Sequence, residues 1–146
     1  MNQSFSIQSA PVVHRGTSTR RTRIVTATLW MLQAVLALVF LFAGSMKLIT
    51  PVEVMAAQMS VALPGWFVQF IGVAEVAGAL GLILPALTRI QRPLTPLAAC
   101  GLVIIMGGAT VVTLIGGGGA SALFPLVVGL LLIAIAYGRR SFFKAA

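Results

Sequence analysis

The chain is almost without acid: it has no aspartate, and its two glutamates, Glu53 and Glu75, stand against ten lysines and arginines in 146 residues. Histidine and cysteine occur once each. With His14 as the only imidazole, no pair of intramembrane histidines can ligate a haem, and no His/Cys/carboxylate cluster has metal-site spacing, so no metal centre is expected. With Cys100 as the only thiol there is no internal thiol–disulfide relay, and this cysteine reads as a small packing residue. Four successive glycines, 116–119, are not followed by the Lys-Ser or Lys-Thr that a phosphate loop demands, so they read as a flexible turn.

What fills the chain instead is apolar. Hydrophobic residues make up 59% and charged residues 8%, with a mean hydropathy of +1.06, where soluble domains carry about 25% charge. Four stretches, 26–46, 66–87, 94–115 and 120–138, each approach the ~20 residues that cross ~30 Å of hydrocarbon. They are continuously apolar, whereas strands of a membrane barrel alternate over roughly ten residues. The expected fold is therefore all-α: an integral membrane antiparallel four-helix bundle, with the lipid bilayer as its first partner.

The cations flank these stretches unevenly. Arg15, Arg20, Arg21, Arg23, Arg89, Arg92, Arg139, Arg140 and Lys144 share one side of a four-pass chain, leaving Lys47 on the other. The positive-inside rule then predicts a multi-pass protein of a bacterial-type inner membrane with both termini cytoplasmic. This bias also accounts for the net charge of +8 without nucleic acid as a partner. Residues 1–24 read as a mobile basic tail, 25–140 as the membrane domain and 141–146 as a second short basic tail. Arg20-Arg21 before an apolar run has the look of an export signal, but no A-x-A site closes the run, so the first helix is expected to be retained.

Between the first two spans, Thr50-Pro51-Val52-Glu53 has the capping-box form, predicting a short interfacial helix with Val52, Met55, Ala56 and Met59 on one face and Glu53 as its cap. Trp66, Phe67 and Phe70 open the second span. They suit an interfacial anchor and, alternatively, the wall of an outer-leaflet ligand pocket. Pro85, Pro96 and Pro125 fall near helix ends, where lost backbone bonds cost least.

Glu75 is the only acid inside any span, and an ionised group at that depth must be paired, neutral or turned to a polar cavity. It lies ~14 Å in from Trp66 at 1.5 Å per residue. Side chains lean towards the N-terminus of their helix, so Glu75 leans outward and Lys47, at the end of the first span, leans inward. The two can meet, or Lys47 can reach headgroup water on its own. Small residues surround Glu75, and Ala74-xxx-Gly78 and Ala77-xxx-Gly81 permit close helix approach. A structural carboxyl and a proton-responsive or ligand-binding one are both compatible with this setting.

Phe42-Ala43-Gly44-Ser45-Met46-Lys47-Leu48, Gly72-Val73-Ala74-Glu75, Thr88-Arg89 and Tyr137-Gly138-Arg139, in this order over residues 26–140, resemble the DoxX-like family of small four-helix membrane proteins. The family's G-x-x-K and mid-helix Glu correspond to Gly44, Lys47 and Glu75. Where many members have a histidine late in the third span, this chain has Thr113-Leu114. The resemblance implies an accessory or assembly subunit of a membrane redox complex linked to quinone, and the expected protein is non-catalytic by itself. Two other readings use Glu75: a small proton-coupled transporter working as a homo-oligomer, and a quinone-binding enzyme subunit with quinone as its cofactor.

Overall fold

The computed structural model describes residues 18–59, 61–88 and 93–140, with side chains from Arg23 onward. Residues 1–17 of the proposed tail 1–24, the whole of the proposed tail 141–146, His14, and the arginines at 89 and 92 lie outside the described residues. The described chain forms α1 (Ser18–Ile49), α2 (Val52–Gln58), α3 (Gly65–Thr88), α4 (Leu94–Ile115), a 3₁₀ turn (Gly119–Ala122) and α5 (Leu123–Gly138). Four segments, Arg23–Ile49, Gly65–Thr88, Leu94–Ile115 and Gly119–Gly138, are long and apolar enough to cross a bilayer. The fold is the expected all-α membrane bundle. One boundary differs: α1 is already helical at Ser18, because no glycine or proline between 18 and 24 interrupts it, so the last part of the segment read as a tail belongs to the first helix.

Consecutive long helices run antiparallel. α1 packs on α3, α3 on α4 and α4 on α5, while α5 returns to α1 with the slightest contact of the four neighbouring pairs. One end of the bundle carries the start of α1, the end of α3, the start of α4 and the end of α5; we call it the terminal end. The opposite loop end carries α2 and the glycine turn.

The exterior is apolar. Met31, Phe42, Phe70, Ile104 and Phe124 are 63–76% exposed, an apolar surface suited to the hydrocarbon of a bilayer. Inside, Leu36, Phe40, Leu82, Leu102, Leu132 and Ile135 are at most 3% exposed and belong to one continuous core. Lipid tails are as apolar as these side chains, so helix association rests on close packing. Glycines supply it between α3 and α4: a Cβ at Gly78 would lie 2.6 Å from Leu102 Cδ2, and one at Gly81 would lie 2.7 Å from Ala98 Cβ. Of the small residues expected to pack, Ala77 instead faces outward.

Local signals near the loop end resolve in a different form from that expected. Pro51 (ψ 141°) stands at the N-cap of α2, which has no side-chain cap bond, so the capping box over Thr50 and Glu53 does not form. The Pro51 carbonyl instead accepts from the Val54 and Met55 amides at 3.1 and 3.2 Å. α2 buries no residue, and Glu53 is exposed. The glycine run reverses the chain through the Gly118 amide, which donates to the Thr113 carbonyl at 2.8 Å, with Gly117 (φ 77°) and Gly119 (φ 38°) in the region that other residues rarely adopt. Pro96 and Pro125 sit in the first turns of α4 and α5, where the missing N–H has no intrahelical partner to lose.

Candidate functional site

Glu75 lies ten residues into α3, and its side chain is 3% exposed. Lys47 is in the last turn of α1, and its Nζ donates to Glu75 Oε2 at 2.8 Å, forming an ion pair. Of the two alternatives for Lys47, the structure takes the pair, although its side chain keeps 29% exposure. The convergence follows from the opposite directions of the two helices, which aim the side chains at one another.

Two glycines bring these helices close enough. A Cβ at Gly44 would lie 2.8 Å from the Gly72 carbonyl oxygen and 3.1 Å from Glu75 Cβ; one at Gly72 would lie 3.0 Å from Lys47 Cβ and 3.1 Å from the Gly44 carbonyl oxygen. Each glycine thus opposes the charged residue of the other helix. Gly44-x-x-Lys47 and Gly72-x-x-Glu75 act as complementary halves of one contact, with a missing side chain facing each charged one. That arrangement explains the spacing in both motifs.

The aromatic trio at the start of α3 is differently placed. Trp66 is 71% exposed, Phe67 37% and Phe70 63%, with Trp66 and Phe67 in edge contact at 5.7 Å between ring centres. Their rings lie on the outside of the bundle near the loop end, the position of an interfacial anchor. Cys100, read as a packing residue, is exposed on the outside of α4. Thr113 commits its hydroxyl to its own helix, donating to the Ala109 carbonyl at 2.7 Å. Among the described residues no group of three His, Cys, Asp or Glu side chains is placed to hold a metal ion.

A second buried polar cluster lies at the terminal end. Gln33 is fully buried; its Nε2 donates to the Leu82 carbonyl at 2.7 Å and its Oε1 accepts from Arg139 Nε at 2.9 Å. The Leu82 carbonyl can accept from Gln33 and still serve its own helix, because an oxygen has two lone pairs. Arg139 is 7% exposed, and its guanidinium lies 5.4 Å from the centre of the Trp30 ring. Burial pulls its pKa below the ordinary arginine value, which still leaves it charged at neutral pH. Next to it Gly138 lies close against α1, where a Cβ would be 2.8 Å from Leu29 Cδ1. Arg140, by contrast, is exposed and stacks on Tyr137 at 3.9 Å.

The cluster is absent from the sequence-based reading, which treats Arg139 as one of the flanking cations and as the end of the Tyr137-Gly138-Arg139 motif, without a buried partner. Its signal was Gln33, an amide inside the first apolar stretch. Gln33→Leu should lower the stability of the solubilised protein by about 1–3 kcal/mol, the cost of losing a hydrogen bond to a buried charged group. Arg140→Ala should leave it unchanged, and thermal unfolding in detergent compares the two. Equal effects would remove Gln33 as a link among α1, α3 and α5.

Comparison with curated proteins and with solved structures gave no match. The model of the DoxX-like family matches residues 31–135, which takes in Gln33, both glycine motifs, the ion pair and nearly all of the four spans. The chain therefore belongs to the DoxX-like family.

Proposed function

We propose that this protein is a non-catalytic subunit that supports a larger quinone-linked redox complex in a bacterial-type inner membrane. The observation that carries the non-catalytic part is the pairing of Glu75: its charge is balanced within the chain, by a lysine held opposite it through paired glycines. A carboxyl so placed fixes the register of α1 on α3. The redox association is what likeness to the family implies.

Gentle extraction of the tagged protein should bring down a partner containing haem or flavin. A lone dimer that drives proton-coupled efflux in vesicles would overturn this reading in favour of transport. A binding site for quinone on the isolated chain, lost on changing Trp66, Phe67 or Phe70, would favour an enzyme subunit. The charge-neutral double variant Lys47→Met with Glu75→Gln separates the roles of the carboxyl. A structural pair should tolerate it, and the variant should still recover the partner.

We place both termini in the cytoplasm, because among the described residues Arg23, Arg139 and Arg140 are at the terminal end and Lys47 is the one cation near the loop end, in line with the flanking arginines of the sequence. Cysteines introduced near residues 118 and 55 should react with an impermeant thiol reagent from outside intact cells, and those near 18 and 143 should not. The opposite pattern would invert the topology.

A further inference from the structure

We propose that the Lys47–Glu75 pair is a one-sided site: water, protons and small polar solutes reach it from the loop end, and the bundle is closed to them from the terminal end. This goes beyond a supporting role, because it assigns the compartment with which the buried carboxyl can exchange.

The polar groups of the interior are divided into two sets. Lys47 and Glu75 form one; Gln33, Arg139 and the fully buried Thr95 form the other. Lys47 is in the last turn of α1, so little more than half a helical turn separates its backbone from the loop end, and its side chain is 29% exposed. Its ammonium has three donors, and the bond to Glu75 occupies one. In a bilayer the other two require oxygen acceptors, which water and headgroups supply at that end. Glu75, at 3% exposure, communicates with the surroundings through this lysine.

Towards the terminal end the path is different. Gly44 faces Glu75 and Gln33 is bonded to Leu82, so the residues between these two contacts separate the polar sets. On α1 these are Leu36, Ala37 and Phe40, at 3%, 5% and 1% exposure; on α3, Ala79 and the Leu82 side chain, at 3% and 0%. Leu102 and Leu132 complete the same core from α4 and α5. None of these side chains carries a hydrogen-bonding group, and a dry apolar layer gives a water chain no partners. Phe40 is the bulkiest plug in it.

Accessibility of introduced cysteines tests this in a Cys100→Ala background, in sealed membranes whose sidedness is fixed by labelling at residues 118 and 18. Lys47→Cys, and Glu75→Cys combined with Lys47→Met so that no charge is orphaned, should react with a charged impermeant thiol reagent added on the side of residue 118. Neither should react from the side of residue 18. Leu36→Cys and Phe40→Cys should be protected from both sides. Reaction of Cys introduced at 75 from the side of residue 18, or its protection from both sides, would overturn the proposal. So would reaction at 36 or 40 from either side. Because the two anchor residues define the ends of the bundle, a reversed membrane orientation would exchange the compartments without altering this outcome. The supporting-subunit reading is judged separately, by what co-purifies.

Discussion

Lys47→Met should destabilise the solubilised bundle more than the double substitution Lys47→Met with Glu75→Gln. The single change leaves a carboxylate at 3% exposure opposite an apolar side chain, whereas the double change leaves a neutral amide that can find local partners. Removing one member of a fully buried pair costs ~3–5 kcal/mol, while polar couplings measured between membrane helices average ~0.6. Lys47 keeps partial access to water, so the coupling in the complete cycle is expected between these limits, at about 1–2 kcal/mol. Unfolding of the wild type, both single variants and the double variant in one detergent gives the value. Additive losses would mean that the pair contributes nothing to holding α1 on α3, and the reading of Glu75 as a structural carboxyl would fall with it.

Gly44→Leu should have a larger effect, because the obstruction is backbone. Even the first added carbon would lie 2.8 Å from the Gly72 carbonyl oxygen and 2.8 Å from Val76 Cγ2. A side chain can rotate away, but a carbonyl held in a helix cannot, so α1 and α3 must separate and the ion pair must stretch. Overpacking of this type typically costs ~1–3 kcal/mol, and leucine is expected at or above the top of that range. Gly72→Ala should be milder, since its nearest neighbours are at 3.0 and 3.1 Å. Gly101→Ala and Gly108→Ala are the controls: nothing lies within 4 Å of either added carbon, and exchanging glycine for alanine in a helix should be stabilising by roughly 0.5–1 kcal/mol. If Gly44→Leu behaved like these controls, the close contact of the two glycine motifs would be wrong.

The sequence alone determined the architecture. Spans in lipid must satisfy their backbone internally, so four apolar stretches near 20 residues in length admit few folds other than a helical bundle. It also singled out Glu75 by depth, Lys47 as a candidate partner by side-chain direction, and Gly44 and Gly72 through the resemblance. Whether Lys47 pairs or reaches water was left open, because a long flexible side chain near a helix end can do either and sequence spacing does not fix the register between helices. The tertiary structure decided it, through two glycines on different helices that each clear space for the opposing charge.

Arg139 marks the other limit. By composition it is one more cation beyond the last span, and the same residue type next to it, Arg140, is exposed. In the folded bundle Arg139 turns inward onto Gln33, a partner 106 residues away in the chain, beside the close approach of Gly138 to Leu29. Hydropathy reads each span by itself and so finds the helices. Which polar groups meet depends on their relative rotation and register, quantities that arise only when four helices pack at once.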